Sequence, residues 1–437
     1  MTQESQGSSR RRFIQGSSAA LVGTAIASQA GARAADLAPS RGDATLRIAL
    51  IGCGGRGTGA AAQALATEGK VELVAMADAF RDRLDACHGR LAEHHGDKIQ
   101  VPEENRYVGF GAYRRAIDSG ADVVVIATPP GFRPEHFAYA VEQGKHVFME
   151  KPLAVDAPGV RQILAAGEKA QRLALKVGVG LQRHHDPSYV EAIRRIHNGA
   201  IGDVLLMRVY WNSQGVWVRE RKPDMTEMEY QMRNWYYFNW LCGDHIVEQH
   251  IHNLDVGNWV KGGTPIAAQG QGGRQWRNGP DHGEIFDHHS VEYTFADGTT
   301  MLSQCRHIEN CWNKVAEYAH GTKGSAELHA GVMNTKKGAW RYKGAELDPY
   351  QVEHDDLFAA IREGRPYNET HNGARSTMTA ILGRMATYSG SRITWDDALA
   401  SKIRIAPQEY SWDAAPPSVP DGHGRYPVAM PGVSRVV

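Results

Sequence analysis

The chain has 437 residues, enough for about two to three domains, and its 42% hydrophobic and 22% charged residues are typical of a globular protein with a core. Its formal net charge is zero and its pI is near 7.3, so it lacks the basic field that attracts nucleic acid or an anionic membrane surface. The five cysteines are scattered without a CxxC pair, which excludes a disulfide framework.

Residues 1–34 are predicted to be an export signal. Residues 9–15 read SRRRFIQ, which resembles the twin-arginine pattern S-R-R-x-F-L-K, and Ala-Arg-Ala at residues 32–34 suits a signal peptidase. The apolar stretch between them is too short and too rich in glycine and serine to span a membrane. We therefore expect an exported or periplasmic protein without a membrane span, the alternative being an uncleaved basic tail. Residues 35–44 read as a linker.

The chain between residues 45 and 170 alternates strands with helices. The predicted strands are the continuous apolar runs LRIALIG, VELVAMAD, ADVVVIA and KHVFM, and helical patterns such as RDRLDACHGRLAEHH and EHFAYAVEQG separate them. Continuous apolar strands linked by helices indicate a parallel sheet that is covered on both faces. The pattern predicts a doubly wound α/β domain of the Rossmann type over residues 45–170.

After residue 170 the pattern changes. Apolar and polar residues alternate in DVLLMRVYWNSQ, HSVEYTFADGTTMLSQCRHI and KVAEYAHGTKGSAELHAG, which indicates an antiparallel sheet with one covered face. The segment 227–260 is predicted to be helical, as are HDDLFAAIREG and ARSTMTAILGRMATYSGS. We expect a second, α+β domain over residues 171–405 and a Pro/Gly-rich extended arm over residues 406–437.

The first strand is followed by a glycine-rich turn that predicts a dinucleotide site. Its G-x-G-x-x-G precedes a helix, and the next strand ends in an acid about 20 residues later. Such glycines let a pyrophosphate approach the helix N-terminus, and the acid accepts hydrogen bonds from ribose hydroxyls. Because Asp78 repels a 2′-phosphate, we predict NAD, while Arg81 nearby keeps NADP open. The predicted cofactor residues here are Gly52, Gly54, Gly55, Arg56, Gly57 and Asp78.

Two further segments reach the same edge of the predicted sheet. Thr128 and Pro129 end the third apolar run, and Glu150 and Lys151 end the fourth, directly before Pro152. Ligands of doubly wound sheets bind at the carboxyl ends of the strands. We therefore expect all four residues beside the cofactor, with the Lys151 ammonium at its nicotinamide end.

These motifs carry a resemblance to a known family. GCGGRG with Asp78, IATPP and HFAYAVEQGKHVFMEKPLA resemble the Gfo/Idh/MocA oxidoreductases, and QRHHDPSY, GTKGSAEL and DDLFAAIREGRP extend the resemblance over nearly the whole chain after the signal. The E-K-P tripeptide is the specific marker. The resemblance implies a C-terminal domain with a large, open, mostly antiparallel sheet, through which a homodimer or homotetramer often forms. It also implies that Lys151 holds a substrate hydroxyl near nicotinamide C4.

The family's second catalytic element is a helix with D-x-x-x-H. His252 takes the histidine position here and Glu248 the acid position, and residues four apart share one face of a helix. Alcohol oxidation needs a base for the hydroxyl proton, and histidine titrates near neutrality. The resemblance thus implies that His252 is the base and that Lys151 stabilises the developing alkoxide. Glu248 then orients His252 or binds another hydroxyl.

Candidate substrate contacts come from two places. One is the segment after LKVGVG, whose strand end faces the substrate in the family, and the other is the predicted stripe of His245, Glu248 and His252. H-x-x-E-x-x-x-H is not the H-E-x-x-H zinc pattern and no third ligand can be identified, so we predict no metal but leave that question open. The aromatic residues 235–240 stack on a sugar ring or, more often, pack in a core. The candidate substrate contacts are Arg183, His184, Tyr189 and His245.

Three functions compete at this point. The first is an NAD(P)-dependent oxidoreductase acting on a secondary hydroxyl or carbonyl of a sugar or polyol. An exported enzyme of this kind meets no cytoplasmic NAD, so we expect its cofactor to be tightly bound. The second is a glycoside hydrolase that uses transient oxidation at sugar C3 and needs an extra base, a Tyr or His from residues 182–189 or 230–240. The third is a non-catalytic NAD- and sugar-binding protein, which has no use for Lys151, Glu248 and His252 together.

Overall fold

The computed structural model describes residues 44–437, so the predicted export signal of residues 1–34 lies outside the described residues. Within that range the strands are β1 (Leu46–Ile51), β2 (Val71–Asp78), β3 (Arg106–Val108), β4 (Val123–Ile126), β5 (His146–Met149), β6 (Val177–Val179), β7 (Val204–Ser213), β8 (Ala267–Gly273), β9 (His288–Thr294), β10 (Thr300–His307), β11 (Lys314–Gly321), β12 (Gly324–Glu327), β13 (Val332–Thr335), β14 (Gly338–Arg341) and β15 (Ile393–Thr394).

The α-helices of the described chain follow the same order. They are α1 (Gly55–Ala66), α2 (Arg81–His95), α3 (Ala112–Asp118), α4 (Arg133–Glu142), α5 (Ala157–Arg172), α6 (Pro187–His197), α7 (Glu227–Arg233), α8 (Asn239–Cys242), α9 (His245–Glu248), α10 (Ile251–Lys261), α11 (Pro349–Glu363), α12 (Thr370–Ser389) and α13 (Trp395–Ala400). Among residues 44–437, no helix combines the length and apolarity needed to cross a bilayer.

The first sheet has six parallel strands in the order β3-β2-β1-β4-β5-β6. Strand β4 is apolar and buried throughout, and β1 beside it is buried except at Arg47, because helices cover both faces. Strand order reverses direction between β1 and β4, which opens a crevice at the carboxyl ends of these strands. The predicted doubly wound domain is confirmed.

The second sheet has nine strands in the order β14-β13-β12-β11-β7-β10-β9-β8-β15. All neighbours pair antiparallel except β7 and β10, which are parallel. Helices α10 and α12 pack against one face of this sheet. Inward residues such as Met207 on β7 and Met301 on β10 are therefore buried, whereas their neighbours along each strand, which point to the opposite face, are not. The predicted mostly antiparallel sheet with one covered face is confirmed.

The structure divides the chain differently from the predicted boundary at residue 170. Strand β6 belongs to the first sheet although it lies beyond that boundary. Helix α11 returns from the late part of the chain and packs on the same sheet, where Leu357, Phe358 and Ile361 share a buried cluster with Leu50. The predicted range 171–405 therefore is not one continuous domain, because apolar residues of α11 complete the core of the first.

The predicted continuous helix over residues 227–260 is wrong in detail. It is four helices, α7 to α10, rather than one. Gly243 and Asp244 separate α8 from α9, because their positive φ angles of 79° and 74° do not fit a right-handed helix. Glu248 ends α9 and His252 belongs to α10, so the two residues lie on successive helices rather than on one.

The last segment, residues 406–437, contains no helix or strand, as expected for an extended arm. It packs on the first domain through two aromatic residues. Tyr410 lies 5.2 Å from the ring of Phe132, and Trp412 lies 4.6 Å from the ring of Phe110 and 5.2 Å from that of Phe80. Part of the arm is therefore anchored against the domain that carries the glycine-rich turn.

Candidate active site

A cavity of about 630 Å³ opens at the carboxyl edge of the first sheet. Its walls combine the glycine-rich turn, the ends of β2, β4 and β5, and side chains from the segment 217–252 of the second domain. Every predicted cofactor residue lines it. The set is Gly52, Gly54, Gly55, Arg56, Gly57, Asp78, Thr128, Pro129, Glu150 and Lys151.

The glycine-rich turn has the shape that a dinucleotide requires. Gly52 has φ +95°, and a Cβ on Gly57 would lie 1.8 Å from the carbonyl oxygen of Gly52. The turn and α1 can therefore come this close only because both residues are glycine. A Cβ on Gly54 or Gly55 would instead meet no atom within 4 Å, because these residues face open space at the N-terminus of α1. Free N–H groups at such a terminus bind phosphate, so the cradle fits the pyrophosphate of NAD.

Asp78 is positioned for the ribose by the backbone of the turn. Its Oδ2 accepts from the Cys53 N–H at 2.6 Å and its Oδ1 from the Phe80 N–H at 2.9 Å. Each oxygen keeps a lone pair for a hydroxyl. Burial raises the pKa of this carboxyl above its ordinary value, while the two N–H donors oppose the rise.

The positive charge near Asp78 does not come from the residue that the sequence suggested. Arg81 pairs with Glu103 at 3.0 Å and does not line the cavity. Arg83 and Arg90 line it instead. The basic groups at the ribose end of the cavity thus come from positions further along α2 than Arg81.

Glu150 and Arg56 form an ion pair inside the cavity wall. Arg56 Nε lies 2.5 Å from Glu150 Oε1, its Nη1 donates to Gln63 and its Nη2 lies 3.4 Å from Glu353 on α11. The guanidinium also lies 5.0 Å from the ring centre of Tyr350. Arg56 therefore ties the glycine-rich helix to β5 and α11 while still facing the cavity.

Lys151 is held by Glu248 across the cavity. Its Nζ donates to the Glu248 carboxylate at 3.0 Å and to the Glu248 carbonyl oxygen at 2.6 Å. Both side chains are nearly buried, with 12% and 11% exposed. The ion pair fixes the ammonium at the domain junction, and Glu248 bonds to Lys151 rather than to His252.

His252 lines the same cavity from α10. Its ring stacks on Trp211 at 6.0 Å, and its Nδ1 is buried without a hydrogen-bond partner among the described residues. Burial lowers the pKa of His252 well below its ordinary value, and the positive charges of Lys151 and Arg183 lower it further. The imidazole is therefore neutral at neutral pH and able to accept a proton.

The predicted substrate contacts lie outside the cavity lining. Arg183 Nη1 and the Tyr189 hydroxyl both bond to the buried Glu317, at 2.6 and 2.9 Å. His184 lies 2.8 Å from Asp255, which explains why the pKa of this histidine is raised despite its burial. These side chains form a buried polar network between the domains, so as placed they do not contact a ligand in the cavity.

His245 also lies away from the cavity. It is completely buried beside Asp244, whose carboxylate oxygen is 2.8 Å from its Nδ1. The predicted stripe of His245, Glu248 and His252 is therefore not formed, because the turn between α9 and α10 separates its ends.

The sequence did not predict most of the far wall of the cavity, which is the wall formed by residues of segment 217–252 and by Tyr350. Of the aromatic cluster 235–240, only Trp235 lines it, and the others are packed in a buried cluster with Met228 and Ile285. Tyr350 comes from the start of α11, far along the chain and without a motif. A buried arginine, Arg133, whose pKa burial lowers to about 10, also faces the cavity. The wall residues without a sequence prediction include Trp217, Arg219, Arg233, Gln249, Tyr350 and Arg133.

Comparison with known proteins agrees with this architecture. The family model described as "Oxidoreductase family, NAD-binding Rossmann fold" matches residues 46–179, and that of the GFO/IDH/MocA C-terminal domain matches residues 189–327. The solved structure of myo-inositol 2-dehydrogenase from Lactobacillus plantarum has a TM-score of 0.61 at 21% identity, over 80% of this chain and 99% of that one. The solved structure of aldose-aldose oxidoreductase from Caulobacter crescentus has a TM-score of 0.62 at 20% identity, over 80% of this chain and 100% of that one. These likenesses show the fold.

The matches to curated relatives cover a smaller part of each chain. Inositol 2-dehydrogenase of Ralstonia nicotianae is 31% identical over 54% of this chain and 61% of its own length. The scyllo-inositol 2-dehydrogenase (NAD(+)) of Bacillus subtilis is 28% identical over 36% of this chain, and the match spans only 40% of that relative. Because the two family models together span well over half of the sequence and the fold carries both domains, the chain belongs to the Gfo/Idh/MocA oxidoreductases and has their NAD-binding Rossmann domain.

Proposed function

We propose that the protein is an NAD-dependent dehydrogenase that oxidises a secondary hydroxyl of a sugar or polyol, or reduces the corresponding carbonyl. One observation carries the proposal. The Lys151–Glu248 ion pair and the neutral His252 converge on the cavity that also holds the glycine cradle. An ammonium, a carboxylate and an unprotonated base at one end of a dinucleotide cavity are the groups that alcohol oxidation requires.

In this proposal each side chain has a separate role. Lys151 donates a hydrogen bond to the substrate oxygen and stabilises the negative charge that develops when the proton leaves. His252 accepts that proton, since its lowered pKa keeps the ring neutral. Glu248 holds the Lys151 ammonium in place through two acceptors. Bound NAD supplies the hydride acceptor.

The far wall of the cavity supports a neutral, polyhydroxylated substrate. Trp217 and Trp235 offer flat apolar faces of the kind that pack on the C–H faces of sugar and cyclitol rings, and Arg219 and Gln249 offer hydrogen bonds to hydroxyls. The names of the relatives, inositol 2-dehydrogenases among them, point to the same class.

Two features support tight retention of the cofactor. Arg233 reaches from the second domain to Asp82 at 3.2 Å and lies 4.0 Å over the ring of Phe80, which lines the cavity. Behind Phe80, Trp412 of the C-terminal arm supports the wall. We propose that this closure keeps NAD bound, as an enzyme exported by the predicted twin-arginine signal would require.

The hydrolase alternative receives less support. It needs an extra base from residues 182–189 or 230–240, and both segments are fully described. The side chains that they contribute to the cavity are Met232, Arg233 and Trp235, which are not bases. The non-catalytic alternative leaves the Lys151–Glu248 pair and the buried neutral His252 without a purpose.

We also propose that the chain forms a homo-oligomer through the open face of the second sheet. Leu302 on β10 is 39% exposed, and Trp312, in the loop before β11, is 62% exposed and lies 5.9 Å from the ring of Tyr210 on β7. Exposed apolar and aromatic side chains on and beside a sheet face are typical of a protein interface. Light scattering of wild type and of Leu302→Arg/Trp312→Arg tests this, and an unchanged mass would contradict it.

The first experiment identifies the cofactor and the reaction together. The purified chain is denatured and the released nucleotide is identified. Intact protein is then mixed with inositols, aldoses, other polyols and aryl glycosides while nicotinamide absorbance and released aglycone are followed. We expect copurified NAD whose absorbance changes with a polyol or sugar. Aryl-glycoside cleavage would favour the hydrolase, and absence of both nucleotide and nucleotide binding would contradict the proposal.

A further inference from the structure

A second cluster of titratable side chains lies outside the cavity lining. Asp244 is at the N-cap of α9, His245 is its first residue, and His289 comes from β9. All three are almost completely inaccessible, with 0%, 0% and 2% exposed. None lines the cavity. The proposed dehydrogenase chemistry does not use this cluster.

The polar atoms of the cluster converge on one point. Asp244 Oδ1 lies 2.8 Å from His245 Nδ1 and 3.2 Å from His289 Nε2, and the possible ligand atoms of the three residues all lie within 4.8 Å of one another. Ligands bound at about 2.0–2.1 Å around a tetrahedral ion are roughly 3.4 Å apart. The Asp244–His289 separation of 3.2 Å is close to that spacing, and the Asp244–His245 separation of 2.8 Å would have to lengthen around a bound ion.

The contact between Asp244 and His245 is close but lacks the geometry of a good hydrogen bond. Although the two atoms lie 2.8 Å apart, neither ring nitrogen of His245 has a well-aligned hydrogen-bond partner among residues 44–437. An imidazole always carries one donor or acceptor on each nitrogen, and buried polar atoms are nearly always partnered. A cation between the atoms would bind the lone pairs of both.

Proton placement around His289 points the same way. His289 Nδ1 lies 2.9 Å from the Thr387 hydroxyl oxygen, which itself lies 3.2 and 3.0 Å from the carbonyl oxygens of Gly383 and Arg384. When Thr387 donates to one of these carbonyls, its oxygen accepts from the Nδ1–H of His289, and the lone pair of Nε2 then faces Asp244 Oδ1 at 3.2 Å. Two acceptors that face each other in a buried site need either an extra proton or a cation between them.

A fourth imidazole lies beside the cluster. The ring of His307 stacks on that of His245 at 4.3 Å, and among residues 44–437 neither of its buried nitrogens has a hydrogen-bond partner.

We propose that Asp244, His245 and His289 bind a divalent transition-metal cation such as Zn²⁺, with His307, which stacks on His245, as a candidate fourth ligand. Imidazole and carboxylate donors suit this class of ion, and a closed, buried site is typical of a structural metal. The ion would fix the start of α9, the helix whose last residue, Glu248, holds Lys151. It thereby positions the ion pair without touching the substrate.

The test starts from the untagged full chain, because a histidine tag binds metal itself. Metal content is measured by mass spectrometry after growth with added Zn²⁺ and extensive dialysis. The chelator-stripped protein is then titrated with Co²⁺, and its visible absorption is recorded. We expect about one Zn²⁺ per chain, a lower unfolding temperature after stripping, and the intense visible bands of Co²⁺ bound by nitrogen and oxygen donors at low coordination number.

Matched variants locate the ion. His289→Gln and His245→Gln are expected to lose it, whereas His288→Gln should retain it, because His288 is the next residue in the same strand but is half-exposed and bonded to Asp287. If a variant does not fold, the Co²⁺ titration of the wild-type protein still shows whether the chain binds a metal ion. No metal in the purified protein and no Co²⁺ bands would overturn the proposal. So would equal metal content in all three folded variants.

Discussion

The two halves of the cavity are built in different ways. The cofactor half consists mainly of backbone: Gly52 and Gly57, which have no room for a Cβ, N–H groups at the start of α1 and one carboxylate that the turn itself holds. The catalytic half consists of side chains that meet across long stretches of sequence, with Lys151 and Glu248 97 residues apart. The first half therefore depends on local backbone geometry, whereas the second depends on contacts between distant parts of the chain.

This difference predicts how the halves respond to substitution. Changes in the catalytic half should abolish turnover but leave NAD binding intact, because the backbone cradle does not depend on them. Changes at the edge of the cofactor half should alter which cofactor binds, or how long it stays, and affect turnover less. The following variants test that separation, from the largest expected effect to the smallest.

Lys151→Met should lower kcat about 1000-fold, because it removes the charge that stabilises the developing alkoxide and leaves Glu248 unpaired. The dissociation constant for NAD should change little. Stopped-flow turnover and calorimetric NAD titration measure the two quantities. Lys336→Met, at an exposed position of the β13–β14 turn, serves as the control. Equal loss of NAD binding and turnover would show that the halves are not separable.

His252→Asn should lower kcat about 100-fold, since the proton then has no base to accept it. The pH profile gives a second readout. Because the pKa of His252 is lowered, the wild-type base stays unprotonated as the pH falls through about 6.5, the ordinary histidine value. The rate should therefore persist below that pH. A wild-type rate that already halves at the ordinary histidine value would contradict the assignment.

Asp78→Ala should change cofactor preference by about tenfold in favour of NADP, measured as the ratio of kcat/KM values. The variant loses the hydrogen bonds to the ribose and leaves Arg83 and Arg90 to attract a 2′-phosphate. Asp78→Asn is the matched control, because it keeps an oxygen for the Cys53 N–H but removes the charge. If only the Ala variant changes preference, the backbone position of the turn rather than charge decides the cofactor.

Trp412→Ala should release NAD about three- to tenfold faster, because the ring supports Phe80 and Phe110 from behind, and aromatic pairs contribute about 1 kcal/mol each. The rate is measured by trapping released NAD with an excess of a second dehydrogenase. Trp276→Ala removes an indole that is 60% exposed and should leave the rate unchanged. An unchanged rate in both variants would mean that the arm does not support the cofactor wall.

The sequence predicted residues that come together in the structure where its information is local. The glycine-rich turn, Asp78 and the ends of two later strands contribute ten predicted cofactor residues, and all ten line the cavity. The far wall was unpredictable for the opposite reason. Tyr350 reaches the cavity only because α11 packs back on the first domain, and no short pattern encodes such a contact.

The substrate contacts show the limit of helical periodicity. The spacing of His245, Glu248 and His252 suggests one stripe only while the helix is continuous. The turn at residues 249–250 separates α9 from α10 and redirects His252 away from the face of His245 and Glu248. Residues 245–256 contain no glycine or proline that would mark this turn in the sequence.

The return of α11 to the first sheet has a consequence for how the protein is made. Leu357, Phe358 and Ile361 cover apolar residues of a domain whose own last strand ends at residue 179. When only the first domain has emerged from the ribosome, this apolar face is still uncovered. We expect such a face to bind chaperones or to aggregate. That face closes only after α11 emerges, so the nucleotide domain reaches its native form late in translation, together with the rest of the chain.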